Sequence, residues 1–302
     1  MIDYLMGVDG GGTGTRVRIA RTAGGGGSEV AQGDGAPSGL GLGIGRAWTA
    51  IQDTAAAAFD AAGLPQPPVE RIAIGLGLAG VRNKQWAAAF VAADPGYAAL
   101  VLETDAFTTL LGAHDGARGA IVALGTGSVG EALYPDGTRR TVGGWGFPAG
   151  DEAGSAWIGL RAINHVQQVL DGRCQSGVLA DAIIAHCGGS RDALQAWLGR
   201  AAQTDYAALA PMVLEHAGAH PSDPVARAIL LDAGQEAGHI ARALDPDGTL
   251  PLALCGGLGD ALRDYLPQGL SSRAHAPLGD SAAGALRMLG QYLDIHPIQP
   301  RR

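Results

Sequence analysis

Lysine is nearly absent from this chain of 302 residues, which contains only Lys84. A P-loop needs a Gly-Lys-Ser/Thr sequence, and Lys84 follows Asn83 instead, so this class of phosphate site is excluded. The net charge of −8 also argues against a broad nucleic-acid surface, because such a surface needs clustered basic side chains to displace counterions. The sequence therefore predicts no nucleic-acid partner, although a small phosphate-bearing ligand remains compatible with it.

Cysteines and long apolar runs are also scarce. Cys174, Cys187 and Cys255 form no C-x-x-C pair, and an odd, unpaired set is typical of a reducing compartment. The most apolar stretch, Ile72–Val81, is too short to span a bilayer, and the amino terminus lacks the basic segment of a signal peptide. We therefore expect a cytoplasmic protein with no membrane partner.

Glycine, in contrast, accounts for 49 residues, and glycine-rich turns separate strand-like from helix-like segments. Strands that alternate with helices predict an α/β class. The order strand, glycine-threonine turn, strand occurs twice, first within 4–21 and again within 119–134. A further turn is predicted at Gly24–Gly27. We interpret the repetition as two related domains.

These domains are predicted to span 1–114 and 115–302. The second contains a mostly helical insertion from Asp151 to about Ala243. A last helix runs from about Ser281 to Leu293, and the sequence leaves open whether it packs back on the first domain.

The turn after the first strand is the first candidate site. Glycines in a turn between strands let backbone N–H groups approach phosphate oxygens closely. Asp9, at the strand end, is placed to hold Mg²⁺ through water, since this ion keeps much of its hydration shell. The alternative is a glycine-rich hairpin in which Asp9 bonds its own turn. The candidate nucleotide-binding residues here are Gly10, Gly11, Gly12, Thr13 and Thr15.

The second glycine-threonine turn is Gly125-Thr126-Gly127-Ser128. Its hydroxyls and N–H groups suit a terminal phosphate, and an ordinary hairpin turn is the alternative. Two such turns at the starts of two related domains would face one triphosphate across a cleft.

A carboxylate at a strand end is the catalytic candidate. Asp105 follows Thr104 at the end of a strand-like segment and starts a helical one. Such a carboxylate can take a proton from an attacking hydroxyl, typically worth about 10²–10⁴-fold in rate. The alternative is structural, because Asp is a favoured helix N-cap.

Two more glycine-rich segments are candidates for substrate contact. The loop from Gly143 and Gly144 enters a helix at Asp151 and Glu152. Its carboxylates suit either a helix N-terminus or sugar hydroxyls. Gly256-Gly257, after a strand and before a predicted helix, offers a surface for adenine. A tight strand-to-helix turn is its alternative.

A dinucleotide fingerprint, G-x-G-x-x-G, also occurs at Gly75, Gly77 and Gly80 between a strand and a helix, with Glu103 downstream as the acidic residue. The same spacing recurs from Gly125, where it leads into a strand and cannot open a helix. The dinucleotide interpretation leaves the Asp9 turn unexplained, so the sequence favours the phosphate turns.

In their order and spacing, these motifs resemble the sugar kinases of the actin, Hsp70 and hexokinase superfamily. The chain most resembles the N-acetylglucosamine and glucosamine kinases of the BadF/BadG/BcrA/BcrD ATPase family, over most of its length. The segments that carry the resemblance are Gly7–Thr13, Thr104–Ala106, Gly125–Ser128, Gly143–Gly146 with Gly150–Glu152, and Cys255–Gly257.

The resemblance implies an actin-like ATPase fold of two ribonuclease H-like domains with an interdomain cleft, in a homodimer that uses ATP and Mg²⁺. It implies that Asp9 acts near the metal and that Asp105 is the base toward the sugar 6-hydroxyl. It places Gly256-Gly257 beside the adenosine. The residues implied in sugar contact are Thr104, Asp105, Gly143, Gly144, Asp151 and Glu152.

Two departures leave the amino sugar open. The segment Ala36–Leu40 lacks the Asn that family members usually use to bind the sugar. Ala79 stands where the vertebrate N-acetylglucosamine kinases have Ser, and in this it resembles bacterial glucosamine kinases. The sequence does not choose between the free and the acetylated amine.

Two other functions are weighed against the kinase. An activator of a radical dehydratase needs cysteine ligands for an iron–sulfur cluster, and Cys174 and Cys187 do not match that motif. A sugar-responsive repressor carries an N-terminal helix-turn-helix, but here the first strand already begins by Tyr4. We expect neither.

Overall fold

The computed structural model describes residues 2–22 and 28–296. It forms two compact units: the first is Met1–Arg118 with Pro277–Arg302, and the second is Gly119–Ala276. The boundary predicted after residue 114 therefore lies slightly further along the chain, and the last helix belongs to the first unit. The turn predicted at Gly24–Gly27 lies outside the described residues.

The first unit is built on a five-stranded sheet with the order β3-β2-β1-β4-β5. β1 is antiparallel to β2 and parallel to β4, which is parallel to β5. Its elements are β1 (Tyr4–Gly10), β2 (Thr15–Arg21), β3 (Glu29–Gly35), α1 (Ile44–Ala61), β4 (Ile72–Leu78), α2 (Lys84–Ala92), β5 (Ala99–Thr104), α3 (Asp105–Ala113) and, from the end of the chain, α11 (Ser281–Ile295).

The second unit repeats this sheet in the order β8-β7-β6-β9-β10, again with three antiparallel strands followed by parallel ones. The repeat predicted from two turns is therefore a repeat of a whole sheet topology, and the α/β class is confirmed. Its elements are β6 (Gly119–Leu124), β7 (Ser128–Leu133), β8 (Arg139–Gly143), α4 (Ser155–Leu170), α5 (Val178–His186), α6 (Arg191–Leu198), α7 (Gln203–Ala207), α8 (Ala210–Gly218), α9 (Pro224–Leu244), β9 (Leu252–Cys255), α10 (Gln268–Ser271) and β10 (Ala274–His275).

Each unit has an apolar core of its own. β4 is buried along its whole length, as expected for a parallel strand covered on both faces. The predicted helical insertion of the second unit corresponds to α4–α9. Within residues 2–22 and 28–296, no helix combines the length and apolar character that crossing a bilayer requires.

Close packing explains several glycines of the first unit. A Cβ added at Gly7 or Gly75 would overlap backbone carbonyl oxygens of α11, and one at Gly77 would overlap the Thr108 side chain. Because Gly75 and Gly77 lie inside β4, they cannot form a phosphate loop, and the dinucleotide interpretation is wrong. Because these positions carry no Cβ, α11 and α3 can pack directly against the backbone of the sheet.

Two glycines of α11 provide a matched test of this packing. A Cβ at Gly284 would overlap the Thr108 carbonyl oxygen, whereas one at Gly290 would meet nothing within 4 Å. We expect Gly284→Ala to lower the free energy of unfolding by about 1–3 kcal/mol through overpacking. Gly290→Ala should raise it by about 0.5–1 kcal/mol, because alanine loses less backbone entropy in a helix. Urea unfolding of both variants measures the difference, and equal effects would contradict the packing argument.

Candidate active site

In the first unit, the candidate residues lie at one edge of the sheet. The parallel strands β1, β4 and β5 end together, since Gly10 is paired with Leu78 and Leu78 with Thr104. The turn after Asp9 and the helix start at Asp105 are thus neighbouring features. The carboxyl ends of parallel strands are where ligands of α/β proteins generally bind.

The turn from Gly10 to Thr15 closes the β1–β2 hairpin, and its central part is open to solvent. The Gly11 amide donates to the Gly14 carbonyl oxygen (3.0 Å), and the Gly39 amide donates to the Gly11 carbonyl oxygen (3.0 Å). Gly12 and Thr13 are exposed, and a Cβ at Gly12 would meet nothing within 4 Å. The backbone there is accessible to a phosphate group.

Thr15 differs from the other residues of the turn. The residue is only 3% exposed. The hydroxyl donates to the Ala36 carbonyl oxygen (2.5 Å) and lies 2.6 Å from Ser38 Oγ. It thereby holds the segment 36–38 against the turn, and we leave it out of the proposed phosphate site.

Asp9 stands half-buried at the end of β1. Burial raises its pKa from the ordinary 3.8 to about 6, against a hydrogen bond from the Ser281 hydroxyl that lowers it, and the Asp105 charge adds to the rise. A carboxylate whose ionisation is opposed by burial and by a second carboxylate is one that a bound divalent cation would stabilise in its charged form. The described residues hold no cluster of three or more His, Cys, Asp or Glu side chains suited to a metal.

Asp105 is the first residue of α3, but it does not cap the helix. The cap is Thr104, whose Oγ1 accepts from the Phe107 amide (3.2 Å). The alternative that Asp105 serves only as an N-cap is therefore wrong. Its Oδ1 accepts from the Ala106 amide (2.9 Å). Burial raises the pKa of this carboxyl, and the nearby Arg82 charge opposes the rise, so the group is suited to accept a proton.

In the second unit, the turn 125–128 and Gly256-Gly257 lie side by side. They follow the parallel neighbours β6 and β9, and the Leu258 amide donates to the Leu124 carbonyl oxygen (3.0 Å). Gly256 has φ +83°, and a Cβ there would overlap the Leu124 backbone, so only glycine suits the position. The helix predicted to follow is absent, because residues 257–262 form turns before a short 3₁₀ segment, Arg263–Tyr265.

The turn 125–128 also supports the start of α4. The Ser155 amide donates to the Gly125 carbonyl oxygen (2.8 Å), and the Ala156 amide donates to that of Thr126 (3.1 Å). These bonds satisfy N–H groups that a helix start leaves without partners. The cap position is occupied by Gly154, so the suggestion that Asp151 and Glu152 cap this helix is wrong.

Asp151 instead ties the glycine-rich loop to the turn. Its side chain is buried, with the residue 8% exposed, and Oδ1 accepts from the Gly146 amide (3.2 Å). Burial raises its pKa, and the charge of half-buried Glu152 adds to the rise. The Gly144 amide donates to the Ser128 carbonyl oxygen (3.0 Å). The segments at 125–128, 143–146 and 151 are thus one assembly, whose contact with sugar stays a prediction.

Ser128 has a buried hydroxyl that finds no hydrogen-bond partner within the described chain, with the residue 4% exposed. An unsatisfied buried hydroxyl costs about 1–3 kcal/mol. We therefore expect Ser128→Ala to leave the free energy of unfolding unchanged or to raise it by about 1 kcal/mol. If this hydroxyl contacts phosphate, the same variant should also have a higher KM for ATP. Thermal unfolding and initial-rate kinetics are the measurements. A marked loss of stability would contradict this description of Ser128.

Three side chains beside the candidate carboxylates of the first unit belong to no motif singled out in the sequence. Arg82 follows β4, and Asp280 and Ser281 begin α11. An Asp-Ser pair before an apolar-periodic run is a helix-start signal. That signal marks the start of the helix, but nothing local in the sequence places the helix beside β1.

The comparisons with known proteins agree on one group. A family model described as the BadF/BadG/BcrA/BcrD ATPase family matches residues 6–246. The glucosamine kinase GspK of Vibrio cholerae is 31% identical over 291 residues, which cover 96% of this chain and 97% of that protein.

Solved structures extend the likeness. A "Putative N-acetylglucosamine Kinase" from Chromobacterium violaceum is 54% identical, with a TM-score of 0.92, over 95% of this chain and 99% of that one. The activator of 2-hydroxyisocaproyl-CoA dehydratase from Clostridium difficile, solved with bound ADPNP, has a TM-score of 0.53 over 99% of both chains. At 12% identity, the second likeness concerns the fold alone.

Proposed function

This chain belongs to the BadF/BadG/BcrA/BcrD ATPase family, and from that premise we propose that it is an ATP-dependent kinase of an amino sugar. The predicted family is thereby confirmed, as is the fold class, an actin-like ATPase fold with two ribonuclease H-like domains. The interdomain cleft stays a prediction. The structural observation that carries the proposal is the position of Asp105. Its carboxylate is half-buried and has a raised pKa, and Thr104 rather than Asp105 caps α3.

The reaction is transfer of the γ-phosphoryl group of ATP to a sugar hydroxyl. The hydroxyl oxygen forms a bond to the γ-phosphorus, the bond from that phosphorus to the bridging oxygen breaks, and ADP leaves. Asp105 accepts the proton of the attacking hydroxyl. Such a reaction depends mainly on positioning and charge stabilisation, so an oriented base beside a phosphate turn suits it.

For the nucleotide we propose two sets of backbone groups. The turn Gly10–Thr13, which is exposed at Gly12 and Thr13, supplies amides in the first unit, and Gly125–Ser128 supplies amides and hydroxyls in the second. Gly256-Gly257 lies beside the second set and takes the adenosine. Asp9 would hold Mg²⁺, which when bound neutralises charge on the phosphate oxygens.

For the sugar we propose glucosamine or N-acetylglucosamine, phosphorylated at the 6-hydroxyl. The name of one similar protein, a glucosamine kinase, supports glucosamine. The name of the other, a putative N-acetylglucosamine kinase, supports N-acetylglucosamine. Thr104 and Asp105 are the proposed contacts in the first unit. Those in the second unit are Gly143, Gly144, Asp151 and Glu152.

The decisive experiment is a coupled ADP-release assay with MgATP and a panel of sugars. We expect turnover with glucosamine or N-acetylglucosamine, and a phosphate on carbon 6 in the NMR spectrum of the product. 6-Deoxyglucosamine, which lacks the accepting hydroxyl, is the matched control and should give no ADP above background. ADP release that is independent of every sugar would overturn the proposal.

The dehydratase-activator alternative has less support. Cys187 and Cys255 are buried and only Cys174 is exposed among the described residues, so they offer no accessible set of ligands for a cluster shared between subunits. Iron bound to the purified protein would revive this function. For the regulator alternative, DNA retention at low salt would be the corresponding sign.

We also propose that the protein is a cytoplasmic homodimer. Light scattering during size-exclusion chromatography tests the oligomeric state. A mass of one chain, 30.5 kDa, at all concentrations would contradict the dimer.

A further inference from the structure

We propose that Ser38 is a positioning residue that fixes the shape of the turn Gly10–Thr15, whose amides take the nucleotide phosphates. The proposal rests on the function proposed above, since that function assigns the turn to ATP. Ser38 follows β3 and is fully buried, so it acts through the turn and not on the ligand itself. No local pattern gives it this role, because it meets the turn only in the folded first unit.

Ser38 lies against both of the residues that close the turn. Gly10 and Thr15 are paired across the strands β1 and β2. A Cβ added at Gly10 would overlap Ser38 Oγ, and Thr15 Oγ1 lies 2.6 Å from the same oxygen. The serine hydroxyl therefore sits at the base of the turn, in contact with its first and its last residue.

The direction of the hydrogen bonds follows from counting protons. The Thr15 hydroxyl has one proton, and it donates this proton to the Ala36 carbonyl oxygen (2.5 Å), which can only accept. The proton between the two hydroxyls must then come from Ser38. Ser38 donates to Thr15 and Thr15 donates to Ala36, so each hydroxyl has one favoured orientation. A buried polar network whose donors are all used makes its surroundings more rigid.

The carbonyl groups at the start of the turn are held by the same region of the chain. The Gly39 amide, directly after Ser38, donates to the Gly11 carbonyl oxygen (3.0 Å). The Ala79 amide donates to the Gly10 carbonyl oxygen (2.8 Å). With both oxygens engaged by the fold, the peptide groups at this end of the turn have a fixed orientation.

The amides that follow are left for a ligand. Across the part of the chain that the structure describes, the N–H groups of Gly12, Thr13 and Gly14 donate to no protein acceptor. Gly12 and Thr13 are exposed, and Gly14 is half-buried. Successive amides without acceptors form a concave site for an anion. Ser38 is therefore placed to hold the base of a turn whose outer amides are free to bind phosphate oxygens.

The competing explanation is a serine that only stabilises the fold. Under that explanation, Ser38→Ala lowers the free energy of unfolding and leaves the nucleotide affinity of the folded protein unchanged. A positioning serine instead affects the binding of phosphate groups, because the amides lose their fixed geometry. Adenosine separates the two explanations, since it lacks phosphate and has no need of the turn.

The test measures how ADP and adenosine displace a fluorescent ADP analogue, N-methylanthraniloyl-ADP, well below the unfolding temperature and in the presence of Mg²⁺. We expect Ser38→Ala to weaken ADP binding about 3- to 10-fold, the factor that corresponds to one net hydrogen bond, and to leave adenosine binding unchanged. Thr15→Val, which keeps the shape but removes the hydroxyl, should have a similar effect. Thr15→Ser keeps the hydroxyl and should retain most of the wild-type affinity.

Thr54→Val is the matched control in the same unit. Thr54 is also a buried residue, 3% exposed, and its hydroxyl donates to the Ala50 carbonyl oxygen (2.6 Å) inside α1. The substitution removes a buried hydroxyl-to-carbonyl hydrogen bond that does not involve the turn. We expect it to change stability but not ADP affinity.

The outcomes separate the two proposals. A loss confined to ADP in Ser38→Ala and Thr15→Val, with a double variant no weaker than the sum of one, supports the positioning role. Unchanged ADP affinity in folded Ser38→Ala, equal loss for adenosine, or equal loss in Thr54→Val overturns it. If the wild type binds ADP but phosphorylates no sugar, the proposed kinase fails while the ADP measurements still decide the role of Ser38. If the wild type binds no ADP, both proposals fail.

Discussion

Replacing Asp105 with Asn should reduce kcat by about 10²–10⁴-fold, the usual contribution of a positioned general base. The amide keeps the size of the side chain but cannot accept the proton of the attacking hydroxyl. Because Thr104 rather than Asp105 caps α3, the helix should remain intact. We expect little change in the KM for the sugar, and thermal unfolding at or above the wild-type temperature.

The assay is again ADP release coupled to a spectroscopic signal, now as a function of sugar and ATP. Glu103→Gln is a useful control, since it removes a carboxylate from the same strand and should leave kcat within a few-fold of wild type. Thr104→Ala provides the converse control, because loss of a cap costs about 0.5–2 kcal/mol of stability. Near-normal turnover in Asp105→Asn with an unchanged sugar KM would exclude Asp105 as the base.

Replacing Asp9 with Asn should have opposite effects on activity and on stability. Loss of a group that only hydrogen-bonds to a metal ligand typically lowers metal affinity or activity about 10- to 100-fold. Loss of the proposed ligand itself should therefore lower activity about 100-fold or more. The nucleotide-free protein, in contrast, should become more stable at neutral pH. Removing a carboxylate whose ionisation is opposed by burial and by Asp105 removes an unfavourable charge.

The pH dependence of this stabilisation has a definite sign. The pKa of Asp9 is raised in the folded protein, from 3.8 to about 6, so the folded state binds its proton more tightly than the unfolded state. Stability from this group is then present below pH 4 and is lost as the pH rises toward 6. The gain of Asp9→Asn should therefore be complete above pH 6 and vanish near pH 4.

The pKa difference of Asp9 between the folded and unfolded states also sets an upper limit on the stability gained by Asp9→Asn. A pKa rise from 3.8 to about 6 corresponds to at most about 3 kcal/mol, and residual solvent contact reduces it. Urea unfolding of both proteins at pH 7.5 and pH 4.5, without nucleotide or metal, is the measurement. A variant less stable than wild type at pH 7.5 would contradict the buried-carboxylate description of Asp9.

Together, Asp9 and Asp105 show how the candidate site lowers the stability of the folded protein. Each sits at the end of a parallel strand, where burial disfavours the charge that the proposed chemistry needs. Thr104 caps α3, and this leaves the Asp105 carboxylate available to face a ligand. Stability given up at a site of this kind is a common feature of enzymes.

The sequence by itself determined the elements that local chemistry dictates. The strands before Asp9, before Asp105 and before the turn at 125–128 were predictable, because apolar runs that stop at glycine or at a helix-start residue have few other conformations. The repeat of one turn motif predicted two related units. The end of the last helix shifted from the predicted Leu293 to Ile295, because fraying ends have weak local signals.

Only the tertiary structure decided which polar group serves which purpose. The sequence could not distinguish Asp105 from Thr104 as the cap, or show that Asp151 holds a loop instead of starting a helix. Nor could it place Asp280 beside Arg18, since the contact depends on α11 returning to the first sheet. Arg18 and Asp280, which fix that return, are 262 positions apart. Contacts of this range follow from the packing of whole elements, and no local pattern encodes them.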